Sequence, residues 1–157
     1  MKKTISVLVE NHFGVLTHVS GLFSARGFNI NSLAVGETED PSISRMTIVV
    51  DGDEKTLEQV KKQLNRLIDT IKIIDLTEED FIDRELLLVK VKMDSKNRSE
   101  ILQIANTFQA KIDDAKKDTA VIEVTGDENK IKSFIEMIRP FGIVEVVRTG
   151  RIAMGRK

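Results

Sequence analysis

The chain has 157 residues, 41% of them hydrophobic and 31% charged, with a formal net charge of -1 from 24 Lys plus Arg against 25 Asp plus Glu. That composition supports a packed, well-solvated protein rather than a disordered one, and it lacks the basic field that a general nucleic-acid binder needs to displace counterions. There is no cysteine, which removes disulfides, thiol chemistry and thiolate metal sites.

Met1-Lys2-Lys3 leads at once into a strand-like run rather than a long apolar secretory segment, and no stretch approaches the ~18 apolar residues that span a bilayer. A cytoplasmic protein without membrane association is expected. Ile5, Val7 and Val9 alternate with Ser6 and Glu10, the period of a strand with one buried face. Then comes a polar loop, Asn11-His12-Phe13-Gly14. Val15, Leu16, Val19, Leu22 and Phe23 follow with the spacing of one apolar helical face. Asn11 is placed to cap this helix from outside, and Gly27 stands where a left-handed closing residue belongs. A helix start with free N–H groups can hold a small anion such as an amino-acid carboxylate; the plainer reading is that Asn11 and Gly14 only cap a helix.

Ile30, Leu33 and Val35 suggest a second strand, Glu39-Asp40-Pro41-Ser42 a turn, and Met46, Ile48 and Val50 a third strand. Gly52-Asp53-Glu54 opens a helix whose Leu57, Val60, Leu64 and Leu67 form a stripe, and Ile71, Ile73 and Ile74 supply a fourth strand. After the acidic break Thr77-Glu78-Glu79-Asp80 the same order returns. Leu87, Val89, Val91 and Met93 alternate with lysines, and Ile101, Ile104, Ala105 and Phe108 form a helical face. Ile112 and then Ala120, Ile122 and Val124 give two strands. Gly126-Asp127-Glu128 opens a helix bearing Ile131, Phe134, Ile135 and Ile138, which Pro140 ends before the strand at Ile143–Val147. The fold class expected is therefore α+β: two tandem ferredoxin-like βαββαβ domains, residues 1–77 and 78–157, each an antiparallel four-stranded sheet with helices on one face. Halves this small need their second sheet faces covered, by a dimer partner or by each other. Phe13, Phe28 and Phe81 are the large apolar residues outside the helical stripes.

No catalytic constellation emerges. His12 and His18 lie too far apart for one helical turn, without a cysteine or a metal-spaced carboxylate pair, and no metal site is expected. His12 can donate to a bound anion, and His18 reads as a solvated helix residue. Ser20 and Ser24 have no base or nucleophile-elbow context. RNA-recognition domains share βαββαβ but stack bases on aromatics of the third and first strands. Here there is no Tyr or Trp and no Phe on the third strand, so an RNA-binding module is the weaker alternative and a small-ligand sensor the better one.

Ser6-Val7-Leu8-Val9-Glu10-Asn11 with Gly14-Val15-Leu16, then Gly21 through Ile30, then Ser44-Arg45-Met46-Thr47-Ile48-Val49 closely resemble the small regulatory subunits of acetolactate synthase (acetohydroxyacid synthase). The likeness continues through Arg84–Val91 and Val146-Val147-Arg148-Thr149-Gly150, in one register over essentially the whole chain. The resemblance implies an N-terminal ACT domain that binds valine and dimerises, and a C-terminal ACT-like domain. It implies a non-catalytic chain that binds no cofactor itself, activates a catalytic large subunit carrying thiamine diphosphate, Mg and FAD, and confers feedback inhibition by valine. In such a homodimer two ACT sheets join edge to edge, with valine between the first-helix loop of one chain and the second-strand start of its neighbour. Carried over by motif, the effector residues are Asn11, His12, Phe13, Gly14, Val15 and Leu16 in the loop, Asn29 and Ile30 at the strand start, and Gly36. Backbone N–H groups at Gly14, Val15 and Leu16 would take the carboxylate, and the Asn11 and Asn29 oxygens the ammonium. Val15, Leu16, Ile30 and Val35 would pack on the isopropyl group, and a Cβ at Gly14 would obstruct approach. Phe13 stands where many such loops have proline, Asn31 where an acidic residue is common, and Gly36 where alanine is frequent. In the second half Met93-Asp94-Ser95-Lys96-Asn97-Arg98 replaces the glycine loop, and no valine site is assigned there. A stand-alone amino-acid sensor acting on another enzyme is the remaining alternative.

Overall fold

The computed structural model describes residues 2–157. Contacts divide the chain into two compact units, one ending at Ile82 and taking in Arg151–Lys157, the other Asp83–Gly150. The first unit runs β1 (Lys2–Glu10), α1 (Val15–Ala25), β2 (Ile30–Glu37), β3 (Ile43–Asp51), α2 (Glu54–Arg66) and β4 (Thr70–Asp75). Its sheet has the order β2-β3-β1-β4, with antiparallel neighbours throughout. Alternation along the two central strands turns Ile5, Val7, Val9, Met46, Ile48 and Val50 to one face. There they meet Val15, Val19 and Phe23 of α1 and Leu57, Val60 and Leu64 of α2. Leu16, expected on the buried face of α1, is instead about half exposed.

Both ends of α1 follow from glycine. At the C-terminus Gly27 has φ of +70°, the Gly27 N–H donates to the Ser24 carbonyl at 3.2 Å and the Phe28 N–H to the Phe23 carbonyl at 3.0 Å. That bond pair satisfies two last-turn carbonyls and turns the chain sharply into β2. Phe28 then lays its ring edge-on to Phe23, centroids 6.2 Å apart.

The opposite sheet face of this unit is polar yet buried at Thr4, Ser6 and Thr47. The Arg45 guanidinium donates to Ser6 Oγ at 2.7 Å. The C-terminal segment supplies the Arg151 guanidinium, which donates to Thr4 Oγ1 at 2.9 Å, while the Arg151 N–H donates to Ser32 Oγ at 2.9 Å. Phe81 packs beneath the same guanidinium, 6.0 Å from its ring centroid. Of the three phenylalanines weighed as cover, Phe81 serves near this face, Phe28 belongs to the helical side and Phe13 is fully exposed.

The second unit repeats the order with β5 (Phe81–Lys92), α3 (Arg98–Thr107), β6 (Lys111–Ala115), β7 (Thr119–Gly126), α4 (Glu128–Ile138) and β8 (Ile143–Arg148). Its sheet order, β6-β7-β5-β8, is the same path. Leu87, Val89, Val91, Ile122 and Val124 close on Ile101, Ile131, Phe134 and Ile138, with Phe108 edge-on to Phe134 at 5.4 Å. The fold class is the expected one, with one addition: β9 (Ile152–Gly155) pairs with β5 as a fifth strand. The units also meet at Ile82/Asp83 rather than at 77/78, and Arg151–Lys157 lies with the first unit. The acidic stretch that looks like a linker ends at Asp80, and β5 begins at the very next residue, Phe81.

Candidate functional site

β1 ends at Glu10, and the chain must turn within four residues to start α1. Asn11 anchors that turn, but not as a helix cap. Its N–H donates to the Ser42 carbonyl at 2.7 Å, and its Nδ2 donates to the Pro41 carbonyl at 2.8 Å and to Glu37 Oε1 at 3.3 Å. Asn11 therefore ties the loop to the β2–β3 hairpin, and its donor side is engaged there. The residue at the helix N-cap is Gly14, with φ of +90° and no side-chain capping bond. The Val15 N–H reaches the His12 carbonyl only at 3.4 Å. The mouth of α1 thus presents N–H groups that no side chain caps, with the positive end of the helix dipole behind them. A Cβ on Gly14 would find no atom nearer than His18 Nε2 at 4.0 Å, so positive φ, not space, is what calls for glycine.

Beside this mouth the structure builds a feature that the spacing of the two histidines does not suggest. The carboxylate of Asp69, with its side chain only 5% exposed, receives His12 Nε2 on Oδ1 at 2.6 Å and His18 Nδ1 on Oδ2 at 2.8 Å. His12 Nδ1 also contacts the Phe13 carbonyl at 3.1 Å, and Glu10 Oε2 lies 3.6 Å from His12 Nε2. The Phe13 carbonyl, and after it Asp69, raise the His12 pKa above the ordinary histidine value. The bond from His18, with that from His12, outweighs burial and holds Asp69 below the usual carboxylate range. His18 is thus anchored rather than merely solvated. The signal for this cluster lay in topology: β4 pairs antiparallel with β1, and the Glu10 N–H donates to the Asp69 carbonyl at 2.9 Å. The residue before β4 must therefore lie beside the loop after β1. A shallow cavity of about 420 Å³ opens here, lined by Glu10, Asn11, His12, Ser42, Ile43 and Ile71.

The expected effector residues fall into two groups. Asn11, His12, Phe13, Gly14, Val15 and Leu16 lie together, and Gly36 is at the same end of the sheet, since it pairs with Arg45, which pairs with Leu8. Within this group Val15 is 4% exposed and part of the core, so its side chain is not available to a ligand, whereas Leu16 and Phe13 are exposed. Asn29 and Ile30 lie at the other end: Ile30 pairs with Val50, which pairs with Lys3. From Lys3 to Glu10 at about 3.3 Å per residue is roughly 23 Å, so one chain does not bring the two groups together. β2 is an edge strand of its sheet.

The corresponding loop in the second unit is chemically closed. Asp94 Oδ1 accepts from the N–H groups of Lys96 and Asn97, and Asn97 Oδ1 accepts from the Asp94 N–H. These bonds tie up N–H groups of the loop itself, although Asn97, at the N-cap of α3, makes no side-chain capping bond to the helix.

Residues 5–72 match the family model described as AHAS small subunit-like ACT domain, and residues 84–157 match the model described as Small subunit of acetolactate synthase. A curated relative from Archaeoglobus fulgidus, named "Probable acetolactate synthase small subunit", is 54% identical over 99% of this chain and 98% of its own length. The "Acetolactate synthase small subunit" of Aquifex aeolicus is 50% identical over 99% of this chain and 82% of its own length. Among solved structures, the acetolactate synthase small subunit from Thermotoga maritima superposes with a TM-score of 0.91 at 40% identity, covering 100% of this chain and 98% of that one.

Proposed function

The chain belongs to the acetolactate synthase small-subunit family, and we propose that it activates a separate catalytic large subunit and makes it sensitive to valine. In this reading the chain performs no chemistry; thiamine diphosphate, Mg and FAD belong to the large subunit, and both work in the cytoplasm. Valine's carboxylate meets the N–H groups at the mouth of α1, where the dipole favours an anion. Leu16 and Ile30 supply apolar contact to its isopropyl group. Asn29 of a second copy completes the pocket from across the joined β2 edges, with its oxygen accepting from the ammonium.

The observation that carries this reading is the uncapped α1 mouth together with the separation of the Asn11 loop from Asn29. A site assembled from both needs two chains, so effector binding and dimer geometry are one equilibrium. Valine then inhibits only to the extent that it binds the inhibitory arrangement more tightly, typically by about 1–3 kcal/mol. Selectivity over neighbouring aliphatic amino acids is modest, because one methylene is worth about 1–3 kcal/mol in such a pocket.

Mixing the purified chain with its large subunit tests the function: the synthase rate should rise, and valine should then lower it. A rate and valine response unchanged by the added chain would refute the reading. Calorimetry tests the site. Gly14→Asp sets a negative charge against the ligand carboxylate at a backbone conformation aspartate tolerates, and Asn29→His replaces the amide oxygen by a bulkier ring that sets positive charge against the ammonium when protonated. Both variants should lose valine binding while keeping the wild-type circular dichroism. Undiminished binding in both would remove the residue assignment.

A further inference from the structure

We propose that His12, as an imidazolium, is a positioning residue for the α1 mouth: clamped to Asp69, it aims the Phe13–Gly14 peptide, and a ligand carboxylate binds most tightly while both ring hydrogens are held. The inference rests on the effector reading above and adds what governs it. Donors and acceptors carry the argument. His12 Nδ1 lies 3.1 Å from the Phe13 carbonyl oxygen, and His12 Nε2 lies 2.6 Å from Asp69 Oδ1. A carbonyl and an ionised carboxylate only accept, and a neutral imidazole has one ring hydrogen for its two nitrogens. Only the imidazolium makes both bonds together. Glu10 Oε2, 3.6 Å from the same Nε2, adds a second negative charge on that side. The sequence suggests that His12 donates directly to a bound anion. With both nitrogens engaged, it acts through the backbone instead.

The peptide between Phe13 and Gly14 is the link. Its carbonyl oxygen is the atom that His12 holds, and its N–H is the Gly14 donor at the uncapped mouth of α1. A trans peptide is rigid and planar, with C=O and N–H pointing opposite ways, and the described residues have no cis bond. Fixing the carbonyl on the ring therefore fixes the direction of the Gly14 N–H. Glycine imposes little on that plane, so a bond from outside has to. Asp69 is a firm anchor: its side chain is buried, and its second oxygen accepts from His18 Nδ1 at 2.8 Å, on α1 itself. One carboxylate thus ties down both the loop and the helix that flank the mouth. The Phe13 carbonyl first, and Asp69 after it, raise the His12 pKa above the ordinary histidine value, which carries the imidazolium toward neutral pH. As pH climbs through that raised value the ring gives up one hydrogen, one of the two bonds fails, and the peptide is released. The other titratable groups around the ring are Glu10 at the end of β1, Asp69 ahead of β4, His18 on α1, and Glu37 and Asp40 of the β2–β3 hairpin. The hairpin pair bond to Asn11 Nδ2 and to Ser42. Among these only His18 shares the imidazole chemistry, and it is tested separately.

With two histidines in the chain, ring-proton NMR reads each one. The full chain without valine, assigned with His12→Gln and His18→Gln, should give His12 a midpoint above the ordinary value of 6.5, and Asp69→Asn should lower it. Saturating valine should move the midpoint higher still, because a ligand that prefers the protonated form stabilises that form in return. Calorimetry then compares valine affinity at about pH 6 and about pH 8.5, on either side of the histidine range. The wild-type chain should bind about two- to tenfold more tightly at the lower pH, the range for one net hydrogen bond. His12→Gln should bind more weakly, keeping only the small pH effect of the ligand's own amine, whereas His18→Gln should keep the larger one. An ordinary His12 midpoint, equal wild-type affinity at the two pH values, or the full pH effect in His12→Gln would overturn the proposal. No valine binding at either pH, with the midpoint still raised, would instead refute the effector reading on which it rests. The midpoint is read without ligand, so the two failures are told apart.

Discussion

At Gly14, φ of +90° and ψ of -7° hold the backbone where an L-residue crowds its own Cβ against the neighbouring carbonyl. The sequence shows that a glycine stands before this helix, and a steric role toward the ligand is the natural expectation. The geometry adds a reason within the chain itself: the chain's own atoms leave the space beside it open, and the positive φ strains most L-residues placed there. Gly14→Ala should therefore cost about 1–2 kcal/mol of stability in urea unfolding, through backbone strain alone. Asp69 shows the limit of reading residues one at a time. No local pattern links it to His12 and His18, which lie more than fifty positions away. Only the antiparallel neighbouring of β1 and β4 brings their side chains to the same carboxylate. Asn11 shows the converse: its type and position suit a helix cap, but its amide finds the Pro41 carbonyl and Glu37 first.

The helices and strands were far more legible than these contacts, because period and punctuation are local. The repeated Gly-Asp-Glu opening is the clearest case. Asp53 accepts from the Thr56 N–H at 2.8 Å and Asp127 from the Lys130 N–H at 2.9 Å, so each carboxylate satisfies an orphan donor at its helix start. The glycine before each cap has a reason of its own. A Cβ on Gly52 would lie 2.8 Å from Thr56 Cβ, and one on Gly126 would lie 2.9 Å from Lys130 Cβ. Those Cβ atoms are fixed to the helix backbone and do not swing aside. Gly52→Ala and Gly126→Ala should each lower stability by about 1–3 kcal/mol, the range for forcing extra volume into a tight contact. Thermal unfolding of the two variants checks this, and a change near zero in both would mean that the first turn relaxes freely. What the pattern reading missed is equally physical. β9 spans only Ile152–Gly155, too short to show a period, and Phe81-Ile82 open β5 directly behind an acidic stretch that resembles a solvated linker.

At the scale of the whole molecule, each unit has its own core, and the C-terminal segment Arg151–Lys157 belongs to the first unit although it follows the second in sequence. The buried hydroxyls of the first unit's open sheet face explain its role. Thr4 is almost fully buried, and its hydroxyl accepts from the Arg151 guanidinium at 2.9 Å; the Arg151 N–H serves Ser32, and Arg156 pairs with Asp80 at 3.1 Å. Sequence alone placed this segment in the second domain because adjacency along the chain is the only evidence it offers. Hydrogen bonds to a charged donor are worth about 1.5–3 kcal/mol, and removing the donor leaves the buried Thr4 oxygen unsatisfied. Arg151→Ala should therefore destabilise the first unit by about that amount and leave the second unit's core untouched. Residue-resolved amide hydrogen exchange separates the two. Protection in β1 and β3 should drop by one to two orders of magnitude, about tenfold for each 1.4 kcal/mol lost, while β7 and α4 keep theirs. Equal loss in both units would instead mean that they open as one cooperative body, and that the returning segment stabilises the whole chain rather than the sheet face on which it lies.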